Sequence, residues 1–138
     1  MDTDPGEMIE RPRLTMTLLP DRLAICQLDK DAPIPNWACR GSLCSVTRTP
    51  NELSIVCPEA NVPAGLPCDG DWRALGSEGP LGFTLTGTVE TLAEPMAAAG
   101  ISIFFISTYY TDYLMVKEKE LQIAVLALRQ AGHIVHLA

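Results

Sequence analysis

From Ser107 to Asp112 the chain reads Ser-Thr-Tyr-Tyr-Thr-Asp, a run of hydroxyls and rings that closes on a carboxylate. Upstream, Gly79 to Gly87 reads GPLGFTLTG and leads into a helical pattern. These are groups suited to recognising a small zwitterion. The first turn of a helix offers unpaired N–H donors and a favourable dipole to a carboxylate. Gly87, lacking a Cβ, lets a ligand come close to the backbone. An ammonium or cationic side chain calls for a carboxylate and carbonyls, which Asp112 and the neighbouring strand ends provide. The ring of Tyr109 or Tyr110 over a cation adds roughly 0.5–2 kcal/mol. Plainer roles stand beside these. Asp112 can cap its own turn, one tyrosine of the set Tyr109, Tyr110 and Tyr113 can pack across strands, and Gly87 can serve close helix–strand packing alone.

No catalytic set accompanies these residues. Cys57 and Ser107 are possible nucleophiles, but the only histidines, His133 and His136, lie at the C-terminal end, and no paired carboxylates or Ser/Cys–His arrangement can be assembled. The expectation is a protein that is not an enzyme and needs no cofactor. Five cysteines, Cys26, Cys39, Cys44, Cys57 and Cys68, contain no CxxC pair. They are expected to be small buried apolar residues rather than disulfides. The ligand spacings of a structural zinc site are missing, so no metal is expected.

The elements that must position the turn follow from patterning. The chain has 138 residues, 47% of them hydrophobic, and a net charge of −7. That suits one compact body or two very small units sharing a core. The acidic balance leaves no basic patch for nucleic acid, and the longest apolar run, 101–106, is too short for a membrane span. Residues 1–13 read as a flexible tail without a secretory signal, and the cytoplasm is the expected compartment.

Residues 14–27 predict two short strands around Pro20-Asp21. Pro35 opens at most a brief helix. The stretch SLCSVTRTPNELSIVCPE predicts a hairpin with a type I turn at Thr49-Pro50-Asn51-Glu52. Residues 61–70 read as a connection and 72–77 as a strand. A helix over about 86–99, kinked at Pro95 and capped by Gly100, presents Leu85, Val89, Leu92, Ala93 and Met96 to the core. Strands over 101–107 and 112–116 follow. A second helix over about 118–131 buries Leu121, Ala124, Val125 and Leu128, and a strand over 133–137 closes the chain. The C-terminal order is strand, helix, strand, strand, helix, strand, the ferredoxin-like βαββαβ unit. The N-terminal half carries comparable strands with weak helices. The fold class is therefore α+β, with two tandem units, the first degenerate: 14–70 and 71–138.

The segments CQLDKDAPIPNWA, SVTRTPNELSIVCPE, WRALGSEGPLGFTLTG, AGISIFFISTYYTDYLMVKE and ALRQAGH resemble, in order and spacing, the ACT domain family, and within it the CASTOR-like amino-acid sensors and small bacterial ACT-domain proteins. The resemblance covers nearly the whole chain from Leu14 onward. It implies a regulatory module that binds an amino acid where one unit's helix start faces another unit's strand ends. Carried over by position, the glycine side of the site falls on Gly79, Pro80, Phe83, Thr86 and Gly87. The opposing wall falls on Ser107, Thr108, Tyr109, Thr111 and Asp112. The arginine sensors carry four such units in one chain and this chain two, so the resemblance implies a homodimer, acting through a partner protein. Thr111 stands where those sensors have an aromatic residue, so selectivity for arginine is not implied. The competing reading is a ligand-free module for protein interaction or oligomerisation.

Overall fold

The computed structural model describes residues 13–78 and 88–137. Residues 1–12 of the tail expected over 1–13 and the proposed contacts at Gly79, Pro80, Phe83, Thr86 and Gly87 lie outside them, as does Leu85.

Among the described residues eight strands form one sheet. They are β1 (Thr15–Leu18), β2 (Leu23–Leu28), β3 (Ser45–Arg48), β4 (Leu53–Pro58), β5 (Cys68–Ser77), β6 (Ile103–Ser107), β7 (Asp112–Lys117) and β8 (Ile134–His136). Two α-helices, α1 (Thr88–Ala98) and α2 (Leu121–Gln130), pack on it, and short 3-10 turns cover Asn36–Cys39, Glu59–Asn61 and Glu118–Glu120.

The pairing explains how two units fit in so short a chain. β3, β4, β2 and the first part of β5 lie side by side, and so do β6, β7 and β5. The ten-residue β5 is thus the last strand of the first ferredoxin-like arrangement and the first strand of the second. In the first arrangement the 3-10 turns at Asn36–Cys39 and Glu59–Asn61 stand where the helices would be. The strands expected on either side of Pro20-Asp21 do not pair with each other. They run end to end along one edge of β5, β1 on Leu75–Ser77 and β2 on Cys68–Trp72. β1 thereby separates β5 from β8, which lies parallel to it.

β5 is longer than its pattern suggested. Residues Cys68–Gly70, read from their glycine and flanking prolines as connection, pair with β2. The boundary expected after Gly70 falls inside this strand. A register shift against β2 follows Asp69, and Asp71 takes a positive φ of 62°. The strand is bulged there, which increases its local twist.

Alternation along the strands divides the core. Leu75, Leu114 and Val116 face α1 and α2 together with Leu92, Met96, Ala124, Val125 and Leu128. Ala24, Cys26, Leu53, Ile55 and Cys57 lie on the same face beneath the first unit's 3-10 turns. On the opposite face Leu23, Val56, Trp72, Ala74 and Met115 pack with Phe104 and Ile106. Val56 and Phe104 stand on strands separated by β2, β5 and β7, so the sheet curls around this third cluster.

The helix faces follow their periodicity with one correction. Val89, expected in the core, is 46% exposed, because the described part of α1 buries only Thr91, Leu92 and Met96 fully. Both helices close on Schellman motifs. Gly100 (φ 72°) donates to the Ala97 carbonyl and Ile101 N–H to that of Met96. Gly132 (φ 99°) and His133 repeat the pattern on Arg129 and Leu128. The cysteines need correction as well: Cys26 and Cys57 are buried, but Cys39, Cys44 and Cys68 are exposed. Among the described residues no helix is long and apolar enough to cross a membrane.

Candidate functional site

β6 and β7 are joined by the turn that the sequence singled out, with Ser107 directly opposite Asp112. Thr108 organises it. Its N–H donates to the Thr111 carbonyl at 2.8 Å, as does its hydroxyl at 3.0 Å. The same hydroxyl accepts from Tyr110 N–H at 3.2 Å and Thr111 N–H at 3.1 Å. This is the local side-chain capping that threonine offers a turn. The capping that stood as an alternative role for Asp112 is carried out by Thr108.

Thr111 turns inward. It is 5% exposed, and its hydroxyl donates to the Ser77 carbonyl at 2.9 Å. The geometry of the ladder requires this. Glu78 N–H donates to the Thr15 carbonyl, so antiparallel alternation turns the Ser77 groups away from β1 and toward β7. The last backbone pair between β5 and β7 is Gly76 with Tyr113. The Thr111 hydroxyl extends that ladder by one position and pins the turn to the exit of β5.

What remains outward is Ser107, the partly exposed Asp112, and the rings of Tyr109 (87% exposed) and Tyr110 (57% exposed). Tyr113 is the cross-strand tyrosine. It packs over Gly76, where an added Cβ would lie 2.9 Å from the Tyr113 Cε1. The structure therefore brings Ser107, Thr108, Tyr109, Thr111 and Asp112 together at one strand end, beside Ser77 at the end of β5. Ser107 also rims a cavity of about 250 Å³ on the curled face, with Phe104, Ile106, Ser45, Thr47 and Ser54.

Two polar clusters escaped the sequence reading. At the N-terminal end of β5, Lys117 pairs with Asp69, donates to the Gly70 carbonyl at 2.6 Å, and lies 4.8 Å from the centre of the Trp72 ring. The Lys117 hydrogen bond holds the Asp69 carboxyl below its usual range. Arg22 bridges Glu118 and Asp71, and Arg73 reaches Glu118 at 3.4 Å. The register that opposes Trp72 to Lys117 builds this cluster, and it could not be read from spacing alone.

The second cluster surrounds His133, which precedes β8 and is 5% exposed. Its Nδ1 accepts from Leu14 N–H at 3.1 Å, so Nε2 carries the proton of the neutral ring. Nε2 is buried and has no hydrogen-bond partner among the described residues. Burial pushes the His133 pKa down, and the Thr91 carbonyl, which Pro95 cannot bond, opposes the shift from beyond normal hydrogen-bond geometry. His133 and Thr91 line a groove of about 650 Å³ between α1 and α2.

Comparison with known proteins adds the following. Residues 68–130 match the ACT domain family. Residues 21–65 match a second family, described as an N-terminal domain. A protein of Rattus norvegicus, the cytosolic arginine sensor for mTORC1 subunit 1, is 41% identical over 64 residues, 44% of this chain and 19% of that protein. The chain thus spans about a fifth of the length of the curated relatives it matches. A crystal structure of a protein from Agrobacterium tumefaciens superposes with a TM-score of 0.87 at 35% identity, covering 92% of this chain and 95% of that one. The regulatory subunit of aspartate kinase from Thermus thermophilus, in its ligand-free form, shares the fold with a TM-score of 0.58 at 12% identity, covering 81% and 93%.

Proposed function

The chain belongs to the ACT domain family, and on that premise we propose that it is a non-catalytic regulatory module that binds a free amino acid. One observation carries the reading. The Ser107–Asp112 turn is folded by its own hydrogen bonds and pinned to Ser77, yet holds Asp112, Ser107 and two tyrosine rings outward at the strand end. A turn kept only for packing would not require that outward set.

In this reading Asp112 receives the ligand's ammonium, Ser107 and Tyr109 line the wall, and Thr108 and Thr111 hold its shape. The carboxylate takes its donors from the backbone N–H groups of Gly79, Phe83, Thr86 and Gly87, with Pro80 contributing contact and no donor. The chain's two units, sharing β5, leave the pocket to be completed by a second copy, so the working form is a homodimer in the cytoplasm that signals through a partner protein.

A thermal-shift screen of the common amino acids tests this. A ligand at 100 times its dissociation constant adds about 2.7 kcal/mol, and Asp112→Ala abolishes the shift while the protein stays folded. A flat panel, or a shift untouched by Asp112→Ala, overturns the site. The ligand-free interaction reading has its own support in the exposed apolar residues Ile123, Leu126, Ile134 and Leu137 on α2 and around β8. It predicts the flat panel.

A further inference from the structure

Three of the five cysteines meet on one patch of the sheet. Cys26 on β2 and Cys68 on β5 are directly opposed in an antiparallel pair. Opposed residues of such a pair share a face, with Cα atoms about 4.5–5.5 Å apart. Disulfides form between Cα atoms about 4.4–6.8 Å apart. Cys57 on β4 lies diagonal to Cys26 in the same cluster, since Ala24 opposes Cys57 and Cys26 opposes Ile55. Cys57 and Cys68 are both near enough to act on the Cys26 thiol through hydrogen bonding and charge.

Their surroundings differ in a useful way. Cys26 is 1% exposed and Cys57 fully buried, whereas Cys68 is exposed at the rim, where β5 begins. Burial pushes the Cys26 thiol up to about 12 and Cys57 to about 11, so neither is the group an oxidant meets first. Small apolar packing explains a buried cysteine at position 26 or 57. It does not explain an exposed thiol placed opposite a buried one.

We propose that Cys68 and Cys26 form a redox-modification site that takes a small hydroperoxide as oxidant and closes to a reversible disulfide between β2 and β5. The Cys68 thiolate attacks one peroxide oxygen. The O–O bond breaks, the other oxygen leaves as water after protonation, and Cys68 becomes a sulfenic acid. The Cys26 sulfur then attacks the Cys68 sulfur, the S–O bond breaks, and a second water leaves as the S–S bond forms. Two thiols are oxidised to one disulfide, and hydrogen peroxide is reduced to two waters. An external thiol reverses the step through a mixed disulfide. The site lies at the opposite end of β5 from the Ser107–Asp112 turn and does not depend on the amino-acid reading.

The test uses the full chain, fully reduced, then treated with hydrogen peroxide at about one equivalent and alkylated in denaturant. Of the five thiols, two are expected to be lost, the intact mass falls by two hydrogens, and peptide mapping finds Cys26 joined to Cys68. Dithiothreitol restores all thiols. Cys68→Ala, at an exposed position, removes the link, and Cys39→Ala leaves it intact. Retention of every thiol overturns the proposal. So do oxidation of Cys68 to sulfinic acid with Cys26 still a thiol, and a bond from Cys26 to Cys57 in the unmodified chain.

Discussion

Replacing Thr111 with valine isolates one hydrogen bond. The two side chains are nearly the same shape, so the change removes a hydroxyl and little else. In the folded protein that hydroxyl donates at 2.9 Å to the Ser77 carbonyl, and both residues are buried, 5% and 6% exposed. Alternation turns the Ser77 carbonyl away from β1 and toward β7, and the β5–β7 pairing ends one position earlier at Gly76 and Tyr113, so no paired strand residue replaces the donor. A buried acceptor left unpaired costs about 1–3 kcal/mol. For a chain of this length that lowers the melting midpoint by roughly 3–12 °C. Urea unfolding followed by circular dichroism reads it directly: the midpoint falls while the denaturant slope stays unchanged, since the surface exposed on unfolding is the same. Thr111→Ser keeps the donor and recovers most of the loss. A valine variant as stable as the parent, or a serine variant as damaged as the valine, refutes the role given to Thr111 in holding the turn.

Gly76→Ala sets a Cβ 2.9 Å from the Tyr113 ring and is expected to cost about 1–3 kcal/mol. Tyr113→Ala in the same chain makes the cost non-additive, which a double-mutant cycle by urea unfolding detects. The buried His133 has a pKa below its ordinary value of 6.5, so the unfolded chain takes up its proton first as pH falls. Stability contributed by the neutral ring is present above 6.5 and declines as pH drops from 6.5 toward the lowered folded value. Denaturation midpoints across that window fall less in His133→Gln than in the parent; equal slopes refute it.

Where the sequence was legible, a local physical cause decided the structure. The hairpin over β3 and β4 closes as expected because Thr49 accepts from Asn51 and Glu52 N–H through its hydroxyl while Pro50 sets the first turn residue. The ends of α1 and α2 were readable from Gly100 and Gly132, since positive φ favours glycine. Failures came where register decides. Cys68–Gly70 looked like connection because glycine and proline punctuate it, yet pairing with β2 makes it strand. Val89 has the right spacing for the core and is exposed at the start of α1. In the candidate site, the residue types of Ser107–Asp112 were visible, but not that Thr111 faces inward to Ser77. The Arg22, Asp69, Arg73, Lys117 and Glu118 cluster was invisible because its members meet only through the pairing of β5 with β2 on one side and β7 on the other.

The shared strand carries the last consequence. A ferredoxin-like unit ordinarily owns four strands and two helices, and the helices cover the face its sheet would otherwise expose. Here the first unit has 3-10 turns instead of helices and borrows β5 to complete its sheet. Its outer face is closed by Ala38, Trp37, Val62 and Leu66 on Cys26, Ile55 and Cys57, a thinner cover than the Leu92, Met96 and Leu128 layer of the second unit. The curled opposite face draws on both units at once, with Leu23 and Val56 from the first meeting Met115 and Phe104 from the second. The helix-covered cluster also takes in Leu14 and Met16, beside and within β1, and the curled cluster joins both units, whereas the cluster beneath the 3-10 turns is drawn from residues 24–66 alone. That arrangement puts the cysteine pair at one end of β5 and the Ser107–Asp112 turn at the other, held by a single strand of ten residues.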